Sequence, residues 1–162
     1  MKRFSVLIVA AFIGLSMANA QSNAIGLRFN AGDGSGVEFS YQRTLGNANR
    51  LELGLGLDGH EYYNWFRFTA LYQWVWDLSE LAPGFNWYAG VGGGLYSWSY
   101  KSNWKKDNDN YVGLGVLGNI GIEYNFDFPL QLSLDLRPGF HFFDGGNDFG
   151  FGGVALGVRY KF

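Results

Sequence analysis

Through segment after segment of this chain, apolar side chains fall on every second position. Leu51, Leu53, Leu55 and Leu57 alternate with Glu52, Gly54 and Gly56. Leu130, Leu132, Leu134 and Leu136 alternate with Gln131, Ser133, Asp135 and Arg137. At the end of the chain Val154, Leu156, Val158, Tyr160 and Phe162 alternate with Ala155, Gly157, Arg159 and Lys161. A period of two gives a strand one oily and one polar face, whereas a helix would scatter the same residues around its circumference. The pattern therefore predicts an all-β fold.

Five further segments follow the rule. Ile25, Leu27 and Phe29 alternate with Gly26, Arg28 and Asn30; Val37, Phe39 and Tyr41 alternate with Glu38, Ser40 and Gln42. Phe66, Phe68, Ala70, Tyr72, Trp74 and Trp76 oppose Arg67, Thr69, Leu71 and Gln73. Trp87, Ala89, Val91 and Leu95 oppose Tyr88, Gly90, Gly92 and Gly94, and Val112, Leu114, Val116, Ile120, Ile122 and Tyr124 oppose Gly113, Gly115, Asn119, Gly121 and Glu123. Gly32 to Gly36, Gly46 to Asn49, Leu81 to Gly84 and Asp127 to Pro129 carry turn residues. Loops are expected at 58–63, 97–110 and 143–148. The count of strands is eight, and segments of about ten residues suit a tilted strand crossing a bilayer. These features predict an eight-stranded antiparallel up-and-down transmembrane β-barrel.

The first residues look like an export signal. Lys2 and Arg3 precede the apolar run Val6 to Ile13, and Ala18-Asn19-Ala20 supplies a cleavage site before Gln21. The expected organisation is a signal peptide over residues 1–20 and a barrel domain over 21–162. No other stretch approaches the roughly 18 apolar residues of a membrane helix, and barrel strands are hidden from hydropathy because every second residue is polar. The chain has no cysteine, so no disulfide or thiolate chemistry is available. Losing Lys2 and Arg3 takes the formal charge from −2 to −4, which argues against a nucleic-acid partner.

The terminal alternation ending on Phe162, the glycine-rich strand Trp87 to Leu95 and the leader together resemble the small eight-stranded bacterial outer-membrane barrels, OmpA-transmembrane-like and OmpX-like, of the porin family. The resemblance covers the whole mature chain and implies a Gram-negative outer-membrane location. It also implies that the barrel-assembly machinery recognises Val158, Tyr160 and Phe162. In that topology the connections after strands one, three, five and seven face outwards. Aromatic residues cluster at strand ends as if in two interfacial girdles: Tyr41, Trp74, Trp76, Trp87, Tyr124, Phe126 and Tyr160 at one rim, and Tyr62, Tyr63, Trp65, Tyr96, Trp98 and Trp104 at the other.

The polar face gathers Arg28, Arg67, Arg137 and Arg159 with Glu38, Glu52, Glu123 and Asp135. In a barrel of eight strands the interior is about wide enough for side chains alone, so these charges are expected to pair into a plug; a narrow ion path is the alternative. Two G-x-G-x-x-G runs, at 54–59 and 113–118, do not open helices in a βαβ unit and are not nucleotide sites. His60 and His141, with Glu61, Ser97, Ser99 and Asp144, lie at outer strand ends, but strands three and seven sit on opposite sides of an eight-stranded ring. No compact catalytic group is expected. Asp107 to Asn110 lacks the closing Glu of a calcium loop, so neither a metal nor a cofactor is assigned. The remaining candidate is an interaction surface on the outer loop, at Tyr100, Lys101, Trp104, Lys105 and Lys106.

The sequence thus predicts a non-enzymatic barrel with a structural or surface-interaction role, in contact with outer-membrane lipids and lipopolysaccharide and, through its outer loops, with a host or cell-surface partner. A small pore is one alternative. A soluble lipocalin-like barrel with its oily face inward is the other.

Overall fold

The structure, a computed structural model, describes residues 23–32, 36–59, 63–100, 110–143, 146–150 and 153–162. The expected leader, residues 1–20, lies outside the described residues. All the regular elements described are strands: β1 (Asn23–Ala31), β2 (Gly36–Thr44), β3 (Asn49–Gly59), β4 (Tyr63–Asp77), β5 (Phe85–Tyr100), β6 (Asn110–Asn125), β7 (Leu130–Leu136), β8 (Gly139–Phe143), β9 (Gly146–Gly150) and β10 (Val154–Lys161). Neighbours in sequence pair antiparallel around the ring, β5 pairs with β6, and β10 closes on β1. The result is a closed eight-stranded antiparallel barrel.

Ten segments make eight staves because the last two staves are broken. β7 and β8 both pair with β6 and form the seventh; β9 and β10 form the eighth. Pro138, which has no N–H to give to a ladder, interrupts the seventh stave, although its carbonyl still accepts from Gly118 N at 2.7 Å. Gly153, at φ 66°, turns the chain before β10, a conformation natural to glycine. Ending the seventh strand at Arg137 and starting the closing strand at Val154 therefore missed β8 and β9. The other expected loops are also shorter than the sequence implied: β3 continues to Gly59, β4 begins at Tyr63, and β5 and β6 reach Tyr100 and Asn110.

Register sets the tilt. From Arg28, one row of paired residues runs through Glu38, Gly56 and Arg67 to Tyr96 on β5. The other way it runs through Gly157, Ser133 and Glu123 to Asn86, also on β5. The row thus returns to the same strand ten residues displaced, at positions 96 and 86. With ordinary strand spacings this stagger gives a strand tilt of roughly 40° and a backbone radius of roughly 8 Å.

The two faces of the wall are sharply divided. Leu57 and Val116 are 64% and 60% exposed, and Leu27, Phe39, Val91, Leu114, Ile122, Leu134 and Leu156 belong to the same outward apolar belt. Arg28, Glu38, Glu52, Asp135 and Arg159 point inwards and are buried, with Leu71, Tyr88 and Leu117 filling the space between them. A lipocalin-like barrel needs the reverse orientation, so that alternative fails.

At the end carrying the short turns, the start of β1 and the end of β10, outward aromatics form a band. Trp76 stacks on Trp87 at 4.1 Å, and Phe85, Tyr124, Phe126 and Phe128 follow one another in ring contact. The girdle expected at the opposite mouth differs. Trp65 and Tyr96 turn into the lumen, because they share the parity of Arg67 and their neighbours Phe66 and Leu95 face out. Tyr62 and Trp104 lie outside the described residues.

Candidate functional site in the lumen

Glu52 is the hub of the interior. Its carboxylate accepts from Arg159 Nη2 at 3.1 Å, Ser40 Oγ at 3.1 Å, Gln42 Nε2 at 3.0 Å and Gln73 Nε2 at 2.9 Å, and pairs with Arg137 Nη2. Arg137 turns its Nη1 to Glu38 at 2.7 Å, so one guanidinium bridges two carboxylates. Arg159 is held further by Ser40 Oγ at 2.8 Å and Ser133 Oγ at 2.7 Å. These donors matter because a carboxylate removed from water has several lone pairs to satisfy, and an ion pair alone does not repay the desolvation of both partners.

Asp135 is the second hub. Arg28 clasps it through Nε, at 3.1 Å to one oxygen and 3.2 Å to the other, and through Nη2; Tyr88 Oη donates to it at 3.1 Å. Asn119 Nδ2 approaches it at 3.3 Å and also links to Gln73 at 2.6 Å through its amide oxygen. Near the turns, Glu123 receives Arg50 Nη1 at 2.5 Å and Asn86 Nδ2 at 3.2 Å, and Arg50 Nε donates to Gln73 at 2.5 Å. The Arg50 guanidinium lies 4.5 Å from the centre of the Tyr88 ring, a cation–π contact.

These links form one connected web along the lumen. It starts at Arg50 and Glu123, passes through Gln73, Glu52 and Arg137 to Glu38, and ends at Arg67, whose Nε is 3.2 Å from Glu38 Oε2. Beyond Arg67 the filling changes character. The guanidinium sits 5.0 Å from the Trp65 ring, and the Tyr96 ring meets His141 edge to face at 4.8 Å. These rings lie over glycines: a Cβ on Gly56 would stand 2.9 Å from the Trp65 ring, and one on Gly115 would stand 2.9 Å from Tyr96 and 3.0 Å from His141. At the opposite end the lumen opens into a vestibule of about 460 Å³, walled by Gln42, Asn86, Asn125 and Gln131 with Arg50 and Glu123 also lining it.

All eight charged residues expected on the polar face are inside the barrel. The structure brings Arg28 to Asp135 and Glu38, Arg67 to Glu38, Arg137 to Glu38 and Glu52, and Arg159 to Glu52. Glu123 stands apart from these and takes Arg50 instead, a residue the sequence reading assigned neither to the turn ending at Asn49 nor to the strand starting at Leu51. Extending the third strand one residue back would have found it, since Arg50 shares the parity of Glu52. Gln73, Asn119 and Tyr88 were also missed as members; their polar-face parity was the available signal.

Val158 stands opposite Leu27 and Leu132 in the closing seam, and the rings of Tyr160 and Phe162 are 6.4 Å apart. The seam is tied at its end by Asn23 N to Phe162 O at 3.1 Å and Phe162 N to Asn23 O at 2.9 Å. Tyr100 ends β5. Lys101, Trp104, Lys105 and Lys106 lie outside the described residues, as do Asp107 to Asp109, His60, Glu61 and Asp144.

No family model matches this chain, and no curated protein matches it. Solved structures do. The N-terminal β-barrel domain of Pseudomonas aeruginosa OprF aligns with a TM-score of 0.69 at 14% identity, over 89% of this chain and 100% of that one. Neisserial surface protein A (NspA) aligns with a TM-score of 0.59 at 14% identity, over 86% of this chain and 93% of that one. The fold is that of the small eight-stranded outer-membrane barrels. At such low identity the shared property is the fold.

Proposed function

We propose that this chain is an integral barrel of a bacterial outer membrane, exported by its first 20 residues, with a plugged lumen and a structural or surface-interaction role. The observation that carries the reading is the pairing of an outward apolar belt with an inward, connected charge web. In lipid every backbone donor needs an internal partner, and a closed barrel leaves no edge unpaired. The apolar belt supports contact with lipid and lipopolysaccharide. The aromatic band near the turns is of the kind that sits at a headgroup boundary.

The terminal strand, with Val158, Tyr160 and Phe162 at the seam, is the segment offered to the barrel-assembly machinery. Function on this reading lies outside the lumen, in the outer loops that include Tyr100, Lys101, Trp104, Lys105 and Lys106, where a host or cell-surface partner is engaged without catalysis.

Conductance tests the plug. The folded protein, identified by heat-modifiable gel mobility, is placed in a planar bilayer. The plugged reading expects no steady current; a steady current altered by Glu123→Gln or Arg137→Gln would make the protein a pore.

A further inference from the structure

Every neighbouring pair of staves but one is joined by a chain connection, which limits how far the two strands can slide past each other. The exception is the seam, where β1 meets β10, the first strand meeting the last. The lipid face of the seam does not fix its register either. Ile25, Leu27 and Phe29 stand opposite Tyr160, Val158 and Leu156. Sliding β10 by two residues keeps apolar opposite apolar and leaves every side chain on its own face.

The lumen face does distinguish the registers. As the seam stands, a large side chain always meets a small one: Arg28 opposite Gly157, Arg159 opposite Gly26, Lys161 opposite Ala24 and Asn30 opposite Ala155. A two-residue slip in one direction would set Arg28 opposite Arg159, and like charges directly opposite each other destabilise a strand pair. The slip in the other direction would set Gly26 opposite Gly157, Arg28 opposite Ala155 and Arg159 opposite Ala24. The two strands themselves offer it no such obstacle.

That second slip changes the whole barrel. The row from Arg28 would run through Ala155, Asp135 and Gly121 and return to β5 at Tyr88, a stagger of eight from Tyr96 in place of ten. A smaller stagger goes with a narrower barrel, and β10 would shift along β1 by roughly 7 Å.

The contacts that stand against it are those that straddle the seam. Arg159 reaches from β10 past β1 to Ser40 on β2 at 2.8 Å and to Glu52 on β3 at 3.1 Å. Arg137 on β7 reaches Glu38 on β2 at 2.7 Å and also pairs with Glu52. Asp135 on β7 holds Arg28 on β1. These charged groups are buried, so sliding a partner away would leave desolvated charge behind.

We propose that the lumen charge web is the register lock of the closing seam: it selects the stagger of ten over the stagger of eight, which the apolar belt and the two seam strands would also accept. Setting a register is a role that buried polar groups can fill without adding net stability.

The test is measurement of cross-strand backbone NOEs in the folded protein in detergent micelles. The unaltered chain is expected to show contacts from Gly26 to Arg159 and from Arg28 to Gly157. Glu52→Gln removes, at nearly constant volume, the carboxylate that Arg137 and Arg159 share. Contacts displaced by two residues, Gly26 to Gly157 and Arg28 to Ala155, are expected to appear beside the first set or in its place. A second variant, Glu38→Gln and Glu52→Gln combined with Arg137→Gln and Arg159→Gln, removes both sides of these pairs and is expected to give the same displacement. The displaced set in either variant supports the lock. The original set alone in every folded variant, or a slip the other way that brings Gly26 to Lys161, would overturn it. Failure of both variants to fold would also overturn it, since the web would then be needed for the fold itself rather than for choosing between registers. The NOEs report the register whether or not the barrel conducts, so this proposal and the plugged reading fail separately.

Discussion

Near the turns, the lumen carboxylates meet amides and hydroxyls as well as arginines: Glu52 has Ser40, Gln42 and Gln73, and Glu123 has Asn86. Towards the mouth, Glu38 faces three guanidiniums, and the space beyond is filled by Trp65, Tyr96 and His141 lying over glycines. In the first arrangement neutral donors take the lone pairs that arginines leave, although Arg50 Nη2 is buried there without a hydrogen bond. In the second, Arg67 Nε and Nη2 are buried without a hydrogen bond. A buried carboxylate that gathers many donors in low dielectric is costly to remove, whereas a donor without an aligned partner has less to lose.

Removing the Glu52 carboxylate is expected to be the severest single cut. Glu52→Ala strips an acceptor from Arg137, Arg159, Gln42, Gln73 and Ser40 together, and breaking such a buried pair costs about 3–5 kcal/mol. Denaturant unfolding followed by tryptophan fluorescence measures it, and a loss below that of Arg67→Gln would reverse the contrast between the two sections. A charge on the belt comes next. Val116→Arg places a guanidinium on the lipid face of β6, with an expected loss of about 2–4 kcal/mol at midplane depth; folding yield into vesicles reads it, and an unaffected yield would put this face elsewhere than in lipid.

Two glycine substitutions separate the faces at smaller cost. A Cβ on Gly92 would run into the backbone of Ala70 and Leu71, whereas one on Gly118 meets Pro138 at an ordinary 3.5 Å. Gly92→Ala is expected to cost about 1–3 kcal/mol and Gly118→Ala to stay within about 0.5 kcal/mol, in the same unfolding assay. Equal costs would mean that crowding does not distinguish lumen from belt. The smallest effect is expected for Arg67→Gln: its buried Nε and Nη2 make no aligned hydrogen bond, so the change should be about 1 kcal/mol or less, well under that of Arg137→Gln.

Much of this was legible in the residues themselves. The alternation placed Arg28, Glu38, Glu52, Arg67, Glu123, Asp135, Arg137 and Arg159 on one face. Less legible were the strand limits near Pro138 and Gly153, because a broken stave loses the run of apolar residues by which strands are recognised. Trp65 and Tyr96 were misjudged for a different reason: aromatic residues near strand ends suggested a girdle, although their parity pointed inwards. Arg50 was lost because the third strand was started at Leu51.

By itself the sequence determined the class of fold, the number of staves and the face on which nearly every charge lies, because a period of two is a local property of the extended chain. Only the tertiary structure decided who meets whom. Arg28 stands opposite Glu38 in the register but clasps Asp135, 107 residues away. Arg137 bridges Glu38 and Glu52, and the buried Arg67 Nε and Nη2, like Arg50 Nη2, make no hydrogen bond. The physical reason is the stagger of the closed barrel: a row of paired residues returns to its own strand ten positions displaced. Contacts across the lumen therefore depend on closure and tilt.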